Sequence, residues 1–166
     1  MAAVKENDVR RFNVDFTGIQ VMSGGYRNFA GVASKYNAEG HRNFNILLSP
    51  KQAEEMLADG WNVKTLQPRD ESEDVKYFVK INVGWNTSQR DGRRFGPTVK
   101  LHAPDNPDGV ELDEDNIGLL DTTWLKGCDI TVQAHDYAPG KLTAWLQVGD
   151  FYVDETHMVP TRTYED

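Results

Sequence analysis

Residues 75–85 read VKYFVKINVGW and give the clearest structural signal in the sequence. Apolar side chains occupy one set of alternate positions, whereas two lysines and an asparagine lie on the other set. Because successive side chains of a β-strand point to opposite faces, this period of two predicts a strand with one apolar face. Residues 97–103 repeat the pattern, and we interpret the two segments as a hairpin joined by a basic loop at 86–96.

Similar alternating segments at 11–22, 42–48, 128–137 and 142–153 are separated by turns rich in glycine, asparagine and proline. Strands of this length and spacing are typical of mainly β folds, and closing them into a small barrel removes their exposed edges. We therefore expect an antiparallel barrel of five or six strands, and a β-sandwich is the alternative. The expected core residues share the apolar parity of their strands: Val79, Ile81, Val83, Val99, Leu101, Ile130 and Val132.

Helices are expected at two places only. Ser49 is a good N-cap, Pro50 suits the first helical position, and Gln52 completes a capping-box pattern, which predicts a helix that ends near Ala58. A second short helix is expected within residues 113–121, because its three leading acidic residues favour a positive helix N-terminus.

The length of 166 residues is that of one domain with a buried core. We expect a flexible segment at 1–10, the barrel domain at 11–153 and a polar, acidic tail at 154–166. No apolar run reaches the roughly 20 residues of a membrane span, and the first residues lack the apolar stretch of a signal peptide, so we expect a cytoplasmic protein. The single cysteine, Cys128, excludes an internal disulfide and is expected to be a small buried side chain.

The charge of the chain is unevenly distributed. The net charge is −8, yet residues 75–102 contain six basic residues and one acidic residue, a local balance of +5. Both flanking regions are acidic overall. Local charge matters more than the total for a groove that follows phosphates, so this segment is a candidate nucleic-acid-binding surface.

Cations for phosphates and aromatic rings for base stacking are the two components of a sequence-tolerant single-strand site. If segments 75–85 and 97–103 form a hairpin, its basic face and its loop supply both components. The candidate binding residues in this region are Lys76, Phe78, Lys80, Arg90, Arg93, Arg94, Phe95 and Lys100, with His102 beside them. The alternative is an ordinary charged solvent face, with Phe78 packed under a loop.

The triplet Arg-Asn-Phe occurs twice, at residues 27–29 and 42–44. Two neighbouring strands carrying this triplet would bring Arg27 and Arg42 to one groove, so both arginines are further candidates for DNA binding. We interpret Phe29 and Phe44 as core aromatics.

Sequence signatures of enzymes are missing. The sequence has no P-loop, no nucleophile elbow and no zinc-binding His-x-x-x-His helix. We therefore predict no catalytic residue, no metal site and no cofactor, although a small nucleotide-handling or hydrolytic enzyme stays a third hypothesis.

Several stretches resemble a known family. The segment YNAEGHRNF at 36–44, WNVK at 61–64, PRDE at 68–71 and LDED at 112–115 are similar to phage and prophage single-stranded-DNA-binding proteins. The resemblance implies an oligonucleotide/oligosaccharide-binding (OB) fold, so the expected barrel becomes OB-like, and it implies single-stranded DNA as the partner.

We therefore predict a non-enzymatic protein that binds single-stranded DNA without sequence specificity, in phage DNA replication or recombination in the host cytoplasm. The acidic tail is a candidate attachment point for replication or recombination proteins, homo-oligomers are compatible with the sequence, and no membrane partner is expected. The alternative is a structural or interaction protein of a phage, with a β fold and no nucleic-acid site.

Overall fold

A computed structural model describes residues 11–138, 141–154 and 164. The predicted N-terminal segment 1–10 and most of the tail at 154–166 lie outside the described residues. The fold is mainly β, as predicted. Its strands are β1 Arg11–Ile19, β2 Arg27–Asn28, β3 Arg42–Leu48, β4 Lys64–Leu66, β5 Lys76–Val83, β6 Asn86–Thr87, β7 Arg94–Phe95, β8 Thr98–Ala103, β9 Asn106–Leu112, β10 Leu125–Ala138 and β11 Lys141–Val153.

The main sheet has the strand order β1-β10-β11-β5-β3-β2, with β4 on β5 and the β8–β9 hairpin on β11. Strand β11 is the branch point of this sheet. Near its start it runs parallel to β5, where Trp145 is paired with Asn82. From Val148 to Tyr152 it runs parallel to β8 instead. The sheet therefore forks along β11, and β5 and β8 lie on the two arms of the fork.

The predicted hairpin between residues 75–85 and 97–103 is wrong, because β5 and β8 do not pair with each other. Residues between them form a separate small hairpin, in which β6 pairs with β7 through Asn86–Phe95 and Thr87–Arg94. Strand β8 therefore enters the sheet beside β11 and forms a hairpin with β9.

The predicted barrel is not closed by continuous strand ladders. The sheet is open and branched, with more strands than the five or six expected, because short strands such as β2 and β4 have too few residues to show an alternating pattern. One short contact links its two sides. Near the end of β1 the chain bends at Gly18 (φ 61°), and Val21 then bridges to Ile46 of β3.

The apolar parity of the strands was predicted correctly. Six of the seven expected core residues are buried, and Leu101 is partly buried against the same core. Phe29 and Phe44 are fully buried, as predicted, with stacked rings 4.8 Å apart, and both meet the ring of Phe151 edge-on. Cys128 is fully buried as well, and burial raises the pKa of its thiol to about 12.

The helix α1, Pro50–Ala58, has the predicted capping box: the Ser49 hydroxyl accepts from the Gln52 N–H, and the Gln52 side chain accepts from the Ser49 N–H. The second expected helix is a shorter 3-10 helix, Ile117–Asp121. No helix in the described ranges is long and apolar enough to cross a membrane.

Candidate nucleic-acid interface

A groove of about 800 Å³ opens on the outward face of the sheet, where β3, β5 and β11 lie side by side next to the fork. We call it the basic groove. Its charged side chains are mostly cations, and Glu114 is the only carboxylate among the described residues that line it. The lining cations are Arg42, Lys64, Lys80 and Arg94, and the aromatic side chains are Trp85 and Trp145.

Trp145 lines the groove from the β11 side. It lies on β11 between the buried Ala144 and Leu146, so the strand period turns its side chain outward, and it is 37% exposed. Its ring rests on Gly84, where an added Cβ would lie 2.9 Å from the ring carbon Cζ3. Glycine at position 84 therefore gives the indole the room to lie against the backbone.

Trp85 is held from two directions. An added Cβ at Gly96 would lie 2.2 Å from its Cδ1 atom, so this ring also packs directly on a glycine. The Arg42 guanidinium lies over the ring, 5.6 Å from its centroid, and Arg42 also donates to the Phe29 carbonyl at 2.8 Å. These contacts fix a cation and an aromatic ring together at the wall of the groove.

Arg94 anchors the β6–β7 hairpin across the groove. Its Nε and Nη2 donate to the two carboxylate oxygens of Glu114 at 2.8 and 2.7 Å, and its Nη1 donates to the Thr87 hydroxyl at 3.0 Å. The ion pair raises the pKa of Arg94 and lowers the pKa of Glu114. Because both groups are solvent-accessible, an incoming phosphate can compete with Glu114 for the same guanidinium.

The structure brings several predicted residues together. Arg42, Lys80 and Arg94 line the basic groove, and Phe95, 55% exposed, lies in an adjoining cavity. Arg90 and Arg93 are exposed on the tip of the β6–β7 hairpin, which is closed by the Ser88 N–H donating to the Arg93 carbonyl.

Two other predicted residues lie apart from the groove. Lys76 is exposed at the start of β5, where it pairs with Leu66 of β4. Lys100 lies on the other arm of the fork, paired with Glu111 and Asp150, so acidic residues flank it on both neighbouring strands.

Two predicted residues are buried, and the expectation that they belong to the surface is wrong. Arg27 is 9% exposed. It donates to the backbone carbonyls of Met22 and Leu120, which belong to two segments that are far apart from each other in sequence. Burial lowers the pKa of Arg27, although Asp121 opposes this change. Phe78 is 7% exposed, and its ring meets that of Tyr26 edge-on at 5.3 Å. It is therefore packed beneath a neighbouring segment, as the alternative of an ordinary solvent face had predicted.

Sequence reasoning missed Lys64, Trp85 and Trp145. The outward parity of Trp145 on its strand was a readable signal, since a tryptophan between buried alanine and leucine must face the other side of the sheet. Trp85 shares the core parity of β5, and the structure confirms this because the partly buried ring packs against the core; its contact with the groove was not visible in the sequence. Lys64 joins the groove only through the pairing of β4 with β5.

No group of three or more His, Cys, Asp or Glu side chains suited to a metal ion occurs in the part of the chain that the structure describes.

One protein-family model matches most of the chain. Residues 4–144 match the family model described as "Putative phage ssDNA-binding domain". Among solved structures, one match is the crystal structure of gp2.5, a single-stranded DNA binding protein encoded by bacteriophage T7, with 9% identity, a TM-score of 0.37, and coverage of 95% of this chain and 99% of that chain. No curated protein matches the sequence.

Proposed function

Because the chain belongs to the phage single-stranded-DNA-binding domain family, we propose that it binds single-stranded DNA without sequence specificity and that the basic groove is the binding site. The observation that supports this location best is the position of Trp145. This partly exposed indole lies in a groove whose charged side chains are nearly all cationic.

The cationic and the aromatic side chains of the groove have different roles. Lys64, Lys80 and Arg42 neutralise phosphates of the strand, and this displaces counterions from the DNA. Trp145 supplies a ring face for a base, and such stacking contributes about 1–3 kcal/mol per base. Since every base has a π-face, the stacking tolerates any sequence.

The same arrangement favours unpaired strands over duplex. Bases in a duplex are already stacked on their neighbours and have no free face for Trp145. The net charge of −8 repels a duplex wherever it extends beyond the groove. The hairpin tip extends the cationic path with Arg90 and Arg93, and Phe95 adjoins it in the neighbouring cavity. Lys76 is kept as a further phosphate contact beyond the groove, at the start of β5. Arg27 and Phe78 are left out because they are buried, and Lys100 because acidic residues flank it.

The biological setting is proposed from the family. Coating of exposed single strands suits DNA replication or recombination of a phage, in the cytoplasm of its host. The protein acts by binding, and replication or recombination proteins are its proposed partners. The Val21–Ile46 bridge, with the Leu47 N–H bonded to the Gln20 carbonyl at 2.9 Å, supports an OB-like relationship, because it joins the end of β1 to β3.

A fluorescence titration with a 30-mer single strand over a range of salt concentrations tests the proposal. Affinity should fall with salt by about 0.7 logarithmic units per phosphate contact, so replacing Lys64 and Lys80 together by glutamine should flatten the slope by about 1–1.5. Lys51→Gln, at an exposed position on α1 away from the groove, is the matched control and should leave the slope unchanged. Failure of the wild-type protein to bind the strand at low salt would refute the proposal.

A further inference from the structure

Beside the basic groove lies a second cavity, of about 460 Å³, which we call the side cavity. The two share Gly84, Asn86 and Trp145, so Trp145 forms part of the wall of both. The volume falls within the range of about 300–1,000 Å³ that is typical of small-ligand sites. The other lining residues are Phe95, Gly96, Pro97, Gln133, His135, Leu146 and Gln147.

The chemistry of the side cavity differs from that of the groove. No Lys, Arg, Asp or Glu is among the described residues that line it, and its polar groups are three side-chain amides and one imidazole. Burial, aided by the positive charge of Arg11, lowers the pKa of His135, so this ring is neutral at pH 7. A phosphate has no ionic partner here, whereas an uncharged planar ring finds aromatic walls and hydrogen-bonding groups.

The amides lie next to the stacking ring. Gln133 on β10 is the direct cross-strand partner of Trp145 on β11, and side chains of such pairs lie on the same face of the sheet. The amide oxygen of Gln133 accepts from His135 Nε2 at 2.7 Å, which orients the amide. Its amide nitrogen has no hydrogen-bond acceptor among the described residues, and so presents donors to a ligand.

Gln147 lies two residues beyond Trp145 on β11, and both side chains line the side cavity. Its amide nitrogen is 3.4 Å from the Trp145 carbonyl, a long contact that a better acceptor can replace. A planar ring stacked on Trp145 would thus have amide groups at its edge.

We propose that the side cavity takes up one nucleobase from the strand in the basic groove, stacks it on Trp145 or Phe95, and contacts its edge through Gln133 and Gln147. This inference rests on the proposed function. Its consequence is that a site otherwise indifferent to sequence has a base preference at one position, because side-chain amides pair with the donors and acceptors of some base edges better than with others.

The test compares affinities for dT30, dC30 and dA30 at one salt concentration, in the wild-type protein and in the double variant Gln133→Leu/Gln147→Leu. We expect the tightest and weakest wild-type affinities to differ by about fivefold or more, the lower end of what one matched edge contributes. The double variant should bring the three affinities to within about twofold, with its salt slope unchanged, because no phosphate contact is lost. Lys64→Gln is the contrasting control: it should flatten the slope and preserve the base preference.

The outcomes separate this inference from the function on which it rests. If no oligonucleotide binds at low salt, the proposed function fails. If all three bind with equal affinity, or if the double variant keeps the wild-type preference, binding stands and the role of the side cavity is refuted. Circular dichroism and a thermal unfolding curve that match the wild type establish that the double variant is folded.

Discussion

Two groups of aromatic side chains lie on opposite faces of the same sheet and are packed in opposite ways. Phe29, Phe44 and Phe151 meet one another, and none of the three is accessible to solvent. On the outward face, Trp145 rests on Gly84, and beyond the end of β5 Trp85 rests on Gly96 while also packing against the core. Rings that contact one another fill a core, whereas a ring that packs on a glycine can keep part of its surface accessible to a ligand. We therefore expect the first group to determine stability and the second to determine binding.

The largest effect is expected in the core. Phe44→Ala removes a fully buried ring from contact with two others, and such truncations cost about 3–5 kcal/mol of unfolding free energy. Urea denaturation followed by circular dichroism measures the loss. A decrease below about 1 kcal/mol would show that the phenylalanine cluster is not the centre of the core.

Trp145→Ala should weaken DNA binding and leave the stability of the fold nearly unchanged. We expect single-strand affinity to fall about 5- to 150-fold, which corresponds to one lost stacking interaction of about 1–3 kcal/mol. The salt slope should not change, because stacking releases no phosphate counterions. Fluorescence anisotropy with a labelled 30-mer measures both quantities. An equal loss of stability in urea would place Trp145 with the core aromatics and remove the distinction between the two faces.

Gly84→Ala is a smaller perturbation of the same ring. The new methyl would lie 2.9 Å from Trp145 Cζ3, so the indole must shift, and we expect affinity to fall by a factor between two and ten. Gly25→Ala is the matched control, since an added Cβ there meets nothing within 4 Å and its backbone does not have a positive φ. If both variants bind as the wild type does, the glycine contact has no part in positioning Trp145.

The sequence determined what depends on neighbouring residues and left open what depends on distant ones. The alternation of Val79, Ile81 and Val83 identifies a buried face, and the pattern from Ser49 to Gln52 identifies a helix start, because both are local. The sequence could not predict which strands pair with β5 and β8, since a hairpin between them and a fork on β11 both satisfy the same alternation.

The candidate site could likewise be predicted only where it depends on residues that are close in sequence. Lys80 and Arg94 were found from local charge, whereas the basic groove forms where β5 lies between β3 and β11, which are distant from each other in sequence. Arg27 was misplaced for a related reason. The carbonyls that it binds belong to Met22, five residues before it, and to Leu120 and Thr123, 93 and 96 residues after it, so no local pattern marks this arginine as buried.

The smallest expected effect concerns the other arm of the fork, where His102 on β8 connects β9 and β11. Its Nε2 lies 2.8 Å from Asp150 Oδ1 and its Nδ1 lies 3.0 Å from the Pro107 carbonyl, while its ring stacks on Tyr152. Both partners are acceptors only, so both ring nitrogens donate when the imidazole is protonated. The hydrogen bond to Asp150, with help from the Pro107 carbonyl and against the charge of Lys100, raises the pKa of His102.

A raised folded-state pKa means that the folded protein holds this proton more tightly than the unfolded chain does. The stabilisation is therefore complete below the unfolded value of about 6.5 and is lost as the pH rises through the higher folded value. Urea unfolding at pH 6 and pH 8.5 measures the free energy of unfolding of the wild type and of His102→Gln. The advantage of the wild type over the variant should shrink from pH 6 to pH 8.5, by less than about 1 kcal/mol because the pair is near the surface. Single-strand affinity of the variant should match the wild type at both pH values, since His102 does not line the basic groove. A difference in stability that grows toward high pH would mean that the neutral imidazole is the stabilising form.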